Sequence, residues 1–179
     1  MKRIIILCSS LVVTLVVGTT VATVVRAEAS APMTEAHIAQ IRTNCVEAQT
    51  SLNQLHASDA LLRVNRGQLY ESISTKLMAP LNSRLILNRL DGLKLVSITT
   101  DYDRQLADFR TIYQQYEQAM SRTLAFDCRN QPVAFYDSLT DTRARRQQTH
   151  EASVTLENTI QKYGTEFETF ADNFKASTK

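Results

Sequence analysis

From Ile38 onward, apolar or small side chains return in steps that alternate three and four residues: Ile38, Ile41, Cys45, Ala48, Leu52 and Leu55, then Asp59, Leu62, Arg66, Leu69, Ile73 and Leu77. Such steps keep one face of an α-helix turned toward a partner, the seam of coiled-coil packing. The pattern predicts a helix over about residues 34–79, stopped at Pro80, which lacks the N–H that a helix interior needs. A second seam, Leu95, Ile98, Tyr102, Leu106, Phe109, Tyr113, Tyr116, Met120 and Leu124, predicts a helix over 95–128. A third, through Phe135, Leu139, Thr142, Arg146, Thr149, Ser153, Leu156, Ile160 and Tyr163, predicts a helix over 132–175. Pro132 suits its first turn, with Asn130 or Gln131 as cap. Between the first two helices, PLNSRLILNRLDG is too apolar at Leu85, Ile86, Leu87 and Leu90 for a free loop. A short packed turn or helix is expected there, punctuated by Asp91-Gly92. The aromatic tail, Phe167, Phe170 and Phe174 with Tyr163, is expected in the core, covering this linker. The expected fold class is therefore all-α, an elongated, antiparallel, coiled-coil-like three-helix bundle.

Arm lengths tie the helices together. From Cys45 to Met78 is 33 residues, and from Leu95 to Cys128 is 33 residues back, so a hairpin of two arms, each about 50 Å long at about 1.5 Å per residue, returns Cys128 to the level of Cys45. In an oxidising compartment two cysteines at one level read as a disulfide; two free buried thiols are the alternative. Closing a loop of about 83 residues stabilises a fold by roughly 4.5 kcal/mol in the chain-entropy model. If Pro132 starts the third helix near Cys45, then Asp59 and Arg146 each lie fourteen residues further up. Tyr113 or Tyr116 shares that level. A polar layer between Asp59 and Arg146, helped by a tyrosine hydroxyl, is expected to set register rather than stability.

Ahead of the helices stands MKRIIILCSSLVVTLVVGTTVATVVRAEAS, with Lys2 and Arg3, then an uncharged run from Ile4 to Val25, then small residues. This reads as an export segment over residues 1–29, with residues 30–179 forming the helical domain. Two fates are compatible with it. Residues 4–25 are long enough to stay in a bilayer as a signal-anchor helix, which needs about 20 apolar residues. Equally, Ala27-Glu28-Ala29 is an A-x-A cleavage pattern, and Gly18 with four threonines weakens the run as an anchor. Either way Lys2 and Arg3 favour a cytoplasmic N-terminus and an extracytoplasmic remainder.

Charge then narrows the chemistry. The formal net charge is +2, but Lys2, Arg3, Arg26 and Glu28 all precede Ser30, which leaves 17 basic against 17 acidic residues. A neutral domain lacks the positive field that neutralises phosphates, so nucleic-acid binding is not expected. His37, His56 and His150 do not cluster, which argues against a metal site. No nucleophile motif, Gly-rich phosphate loop or carboxylate pair points to an enzyme or a cofactor. Asp59, Arg63, Arg66 and Tyr70 form a dense polar stripe around a mid-helix Gly67, a residue that costs about 1 kcal/mol there. Two readings stand: i,i+4 charge pairing on a solvated face, or a pocket between helices that uses Asp59, Arg63, Arg66, Tyr113 and Arg146. Arg143, Arg145 and Arg146 have two readings, an anionic partner such as phosphate, lipid headgroup or polysaccharide, or pairing with neighbouring carboxylates, and the second is expected in a neutral domain.

Two stretches, LNQLHASDALLRVNRGQLYESISTKLM and DCRNQPVAFYDSL, together with Asn44-Cys45, resemble an uncharacterised family of exported helical envelope proteins of ultra-small candidate-phylum bacteria. The resemblance implies a cell-envelope setting and no particular chemistry. The expected function is a non-enzymatic helical spacer or protein-interaction module, partnered by another envelope protein and able to self-associate. The alternatives are an extracytoplasmic ligand-binding or sensory bundle and a periplasmic chaperone.

Overall fold

The computed structural model describes residues 33–178. The export segment over residues 1–29, its cleavage pattern and its membrane span over 4–25 lie outside the described residues. Within them every element is helical: α1 (Glu35–Thr43), α2 (Cys45–Ser72), a π-helical turn (Ile73–Met78), α3 (Ala79–Leu87), α4 (Leu93–Ala125) and α5 (Pro132–Ser177). No described helix is long and apolar enough to cross a membrane.

Thr34 caps α1, its hydroxyl accepting the His37 N–H at 3.3 Å, and Asn44 breaks the first arm with φ −92° and ψ 7°. Beyond Asn44 the arm continues unbroken to Leu87. Pro80 therefore does not stop it. The π-helical turn immediately precedes the proline, and bonding from i to i+5 widens the backbone where the ring would meet a carbonyl and an N–H would be missed. The buried positions depart from the expected seam already before this turn. Tyr70, Ser74, Met78 and Asn82 point inward, in steps of four, whereas Leu62, Leu69 and Leu77 of the expected seam are 51%, 56% and 63% exposed.

The first arm ends in a Schellman motif. Leu90 N–H donates to the Leu85 carbonyl at 2.9 Å and Arg89 N–H to Ile86 at 3.0 Å, with Arg89 in the left-handed region at φ 54°. Leu85 and Leu90 pack inward, but Ile86 and Leu87 of the apolar linker are exposed. α4 then returns and buries one face as its spacing predicts, from Leu95 through Tyr102, Phe109 and Tyr116 to Met120. The turn into α5 is held by Asp127, whose carboxylate accepts the backbone N–H groups of Arg129 and Asn130 and the Asn130 side chain. Asn130 thus braces the turn, while Gln131 takes the cap position without a side-chain bond. α5 runs antiparallel along α4: Thr123 meets Ser138 and Thr142, Thr159 meets Gln105, and Glu166 meets Lys94. Phe170 packs against the core, but Phe167 and Phe174 are exposed, so the aromatic tail is only partly buried.

Three buried clusters follow the length of this body. Cys45, Cys128, Phe135 and Leu139 surround a disulfide between Cys45 and Cys128, whose Cα atoms are 5.5 Å apart. Tyr113, Tyr116 and Met120 form the middle cluster with Leu52 and Leu55. Tyr70, Met78, Leu95, Tyr102, Phe109 and Leu156 lead the largest one, beyond it. Each fully buried Leu or Met there contributes about 1.5–3 kcal/mol.

Candidate functional site

α2 and α4 run in opposite directions, bridged by Cys45–Cys128, by His56–Glu117 at 2.6 Å, and by the Tyr102 hydroxyl on the Tyr70 carbonyl at 3.0 Å. α1–α2 and α5 run in the same direction, and three contacts fix their register. Arg42 to the Arg129 carbonyl, Asp59 to Arg146 and Tyr70 to Glu157 all join residues 87 apart. The middle of α2 touches α5 through such long polar side chains rather than through packed apolar ones. A cleft of about 740 Å³ opens between them, floored by Phe109, Tyr113 and Tyr116 of α4.

Two struts cross this cleft. In the first, Arg146 donates from Nε to Asp59 Oδ2 at 2.7 Å and from Nη2 to Oδ1 at 3.0 Å, and the Tyr116 hydroxyl donates to Oδ2 at 2.7 Å. The Asp59 side chain is only 11% exposed. Desolvation alone would raise its pKa, but the bonds from Arg146 and Tyr116 outweigh it and hold the carboxyl below the ordinary value of 3.8. The bond to Asp59 raises the Arg146 pKa in turn. In the second strut, Glu157 Oε1 accepts Arg66 at 2.7 Å and the Tyr70 hydroxyl at 3.1 Å.

Between the struts Arg63 lies over the Tyr113 ring, 5.1 Å from its centroid, and has no ion-pair partner among the described residues. Burial, with Glu117 close by, pushes the Tyr113 hydroxyl up to about 12. Tyr113 bonds Glu117 at 3.4 Å, so Tyr116 alone supplies the hydroxyl on Asp59. The arginine run divides: Arg145 pairs with Asp141, Arg146 with Asp59, and Arg143, facing the cleft, pairs with none of the described residues. Gly67 hosts no close approach, since an added Cβ would meet nothing within 4 Å.

The structure thus brings Asp59, Arg63, Arg66, Tyr113 and Arg146 to one cleft. It adds Tyr70 and Glu157 as a second strut, and the Thr123–Ser138–Thr142 hydroxyl cluster between α4 and α5. Threonine and serine on a helix face read as neutral spacing residues, which hides such a cluster. No group of three or more metal-ligating side chains converges among the described residues. No family model, curated protein or solved structure matches the chain.

Proposed function

We propose that this chain is an exported, non-enzymatic protein of the cell envelope that serves as a helical spacer and protein-interaction module. In this reading the helices make one elongated, antiparallel three-helix bundle, held outside the cytoplasmic membrane. Residues 4–25 either stay as its anchor or are removed with the export segment. The resemblance to exported envelope proteins supports that setting, and a disulfide suits an oxidising compartment. The observation that carries the interaction role is the set of aliphatic side chains the first arm leaves in solvent. Leu61, Leu62, Val64, Leu69 and Leu77 are all exposed, on an arm whose register is already fixed by polar cross-links. Leu62 and Leu69, seven residues apart, share one helix face with Leu61 beside it, and a contiguous apolar patch on a braced surface marks a contact site. The favoured partner is another envelope protein; a second copy of the chain is the other occupant.

In-cell photo-crosslinking from positions 61 and 69, read by mass spectrometry, tests this. A defined partner that disappears in Leu69→Lys supports the role. A diffuse ladder, insensitive to that substitution, sinks it. The same spectra report whether residues 1–29 remain attached.

A further inference from the structure

The cleft between α2 and α5 carries more positive charge than its own carboxylates neutralise. Arg63, Arg66, Arg143 and Arg146 line it, against Asp59 and Glu157. Arg66 and Arg146 are used by the two struts, which leaves Arg63 and Arg143 without a carboxylate. The register of 87 residues seen at Asp59–Arg146 and Tyr70–Glu157 sets Arg63 opposite His150, between the struts. Beneath them lie the aromatic rings of Phe109 and Tyr113, both buried. An apolar floor with a few convergent polar groups is the ordinary make-up of a small-molecule site, and about 740 Å³ is within the usual range of roughly 300–1,000 Å³.

We infer that this cleft binds a small organic anion: a body about the size of an aromatic ring, held between the struts above Phe109, with a carboxylate or phosphate facing Arg63, and with Arg143, beyond the Asp59–Arg146 strut, adding to the positive field. Charge complementarity selects the anion, since a cation would meet two uncompensated guanidinium groups. The struts select a compact ligand. A partner helix laid along the cleft would have to break both Asp59–Arg146 and Arg66–Glu157 to reach the floor, whereas a ring-sized molecule enters between them. Ligand binding shares only Leu62 with the interaction surface proposed above, whose other side chains, Leu61, Val64, Leu69 and Leu77, do not line the cleft.

Calorimetry on the full chain with phenyl phosphate and phenylacetate provides the test, beside inorganic phosphate, benzyl alcohol and benzylammonium. Arginine Nε–Hε NMR signals report on Arg63 directly. Fragments of this size should bind with Kd about 0.1–1 mM, shift the Arg63 signal, and bind at least about tenfold more weakly to Arg63→Gln. Arg143→Gln should weaken binding as well, and neither arginine forms part of a strut, so folding is retained; an unchanged thermal midpoint verifies this. The tighter of the two aromatic anions assigns the head group. Equal binding of inorganic phosphate, or of benzylammonium, overturns the site. So does an unmoved Arg63 signal, the result expected if a second copy or a partner helix fills the cleft instead.

Discussion

Asp59 accepts three hydrogen bonds at a position where little of its side chain meets solvent, and that makes one carboxylate the joint between three helices. Because its folded pKa lies below the value of 3.8, the stability it contributes is present above about pH 4 and is lost as pH falls through the folded value. Asp59→Asn should lower stability by about 1–2 kcal/mol at pH 7, since hydrogen bonds to a charged group are lost. It should also flatten the acid limb: urea midpoints at pH 7 and pH 3 should differ less in the variant than in the wild type. Asp59→Leu addresses register. The chain should still fold, because Arg146 is half exposed and can turn to water, but limited proteolysis should cut α2 and α5 faster. A proteolysis pattern identical to wild type would count against a register role.

At the scale of elements, the turn between α3 and α4 stores cost in one residue. Arg89 holds a left-handed conformation that a side chain disfavours by about 1–2 kcal/mol, where glycine pays almost nothing. Arg89→Gly should raise the thermal midpoint, by about 1 kcal/mol in stability. Gly92 is the reverse case, because an added Cβ would lie 3.2 Å from the Leu85 Cβ and 2.7 Å from its Cδ1. Gly92→Ala should lower stability by about 1–3 kcal/mol through overpacking. In the open middle of α2, Gly67→Ala should stabilise by about 0.5–1 kcal/mol, as calorimetry can show.

These positions also show what the sequence reveals and what it hides. The α4 seam is legible because nearly every inward residue is large and apolar, so periodicity and burial coincide. The Cys45–Cys128 level is legible because helical rise converts residue counts into lengths. The continuation of the first arm through Pro80 is not, since a π-helical turn has no residue signature, and the buried stripe runs through Tyr70 and Met78 rather than the equally apolar Leu69 and Leu77. The left-handed residue is concealed too: Asp91-Gly92 advertises a turn, yet Arg89 makes it. In the cleft, Asp59 and Arg146 follow from level alone, but the pairing of Glu157 with Tyr70 depends on a side-chain reach that spacing does not encode.

Across the whole molecule, α4 and α5 share a long antiparallel interface, while the first arm is held at intervals by polar cross-links and by the disulfide. Replacing Cys45 and Cys128 by serine should cost about 2–5 kcal/mol, the usual range for a bridge closing a long loop. Hydrogen exchange should locate the loss. Protection should fall first in α1 and the start of α2, with the α4–α5 interface retained.

The position of the bridge also decides where mechanical load travels. Tension applied at Thr34 and Ser177 passes along α1, crosses from Cys45 to Cys128, and continues through α5, so the 83 intervening residues form a covalently bypassed ring that carries none of it. Stretched in a single-molecule instrument, the oxidised chain should extend about 280 Å less than the reduced chain, given about 3.3–3.6 Å per extended residue. A tether built this way yields only along α1 and α5, so load reaches the cleft through its α5 wall while the α2 wall, inside the ring, carries none.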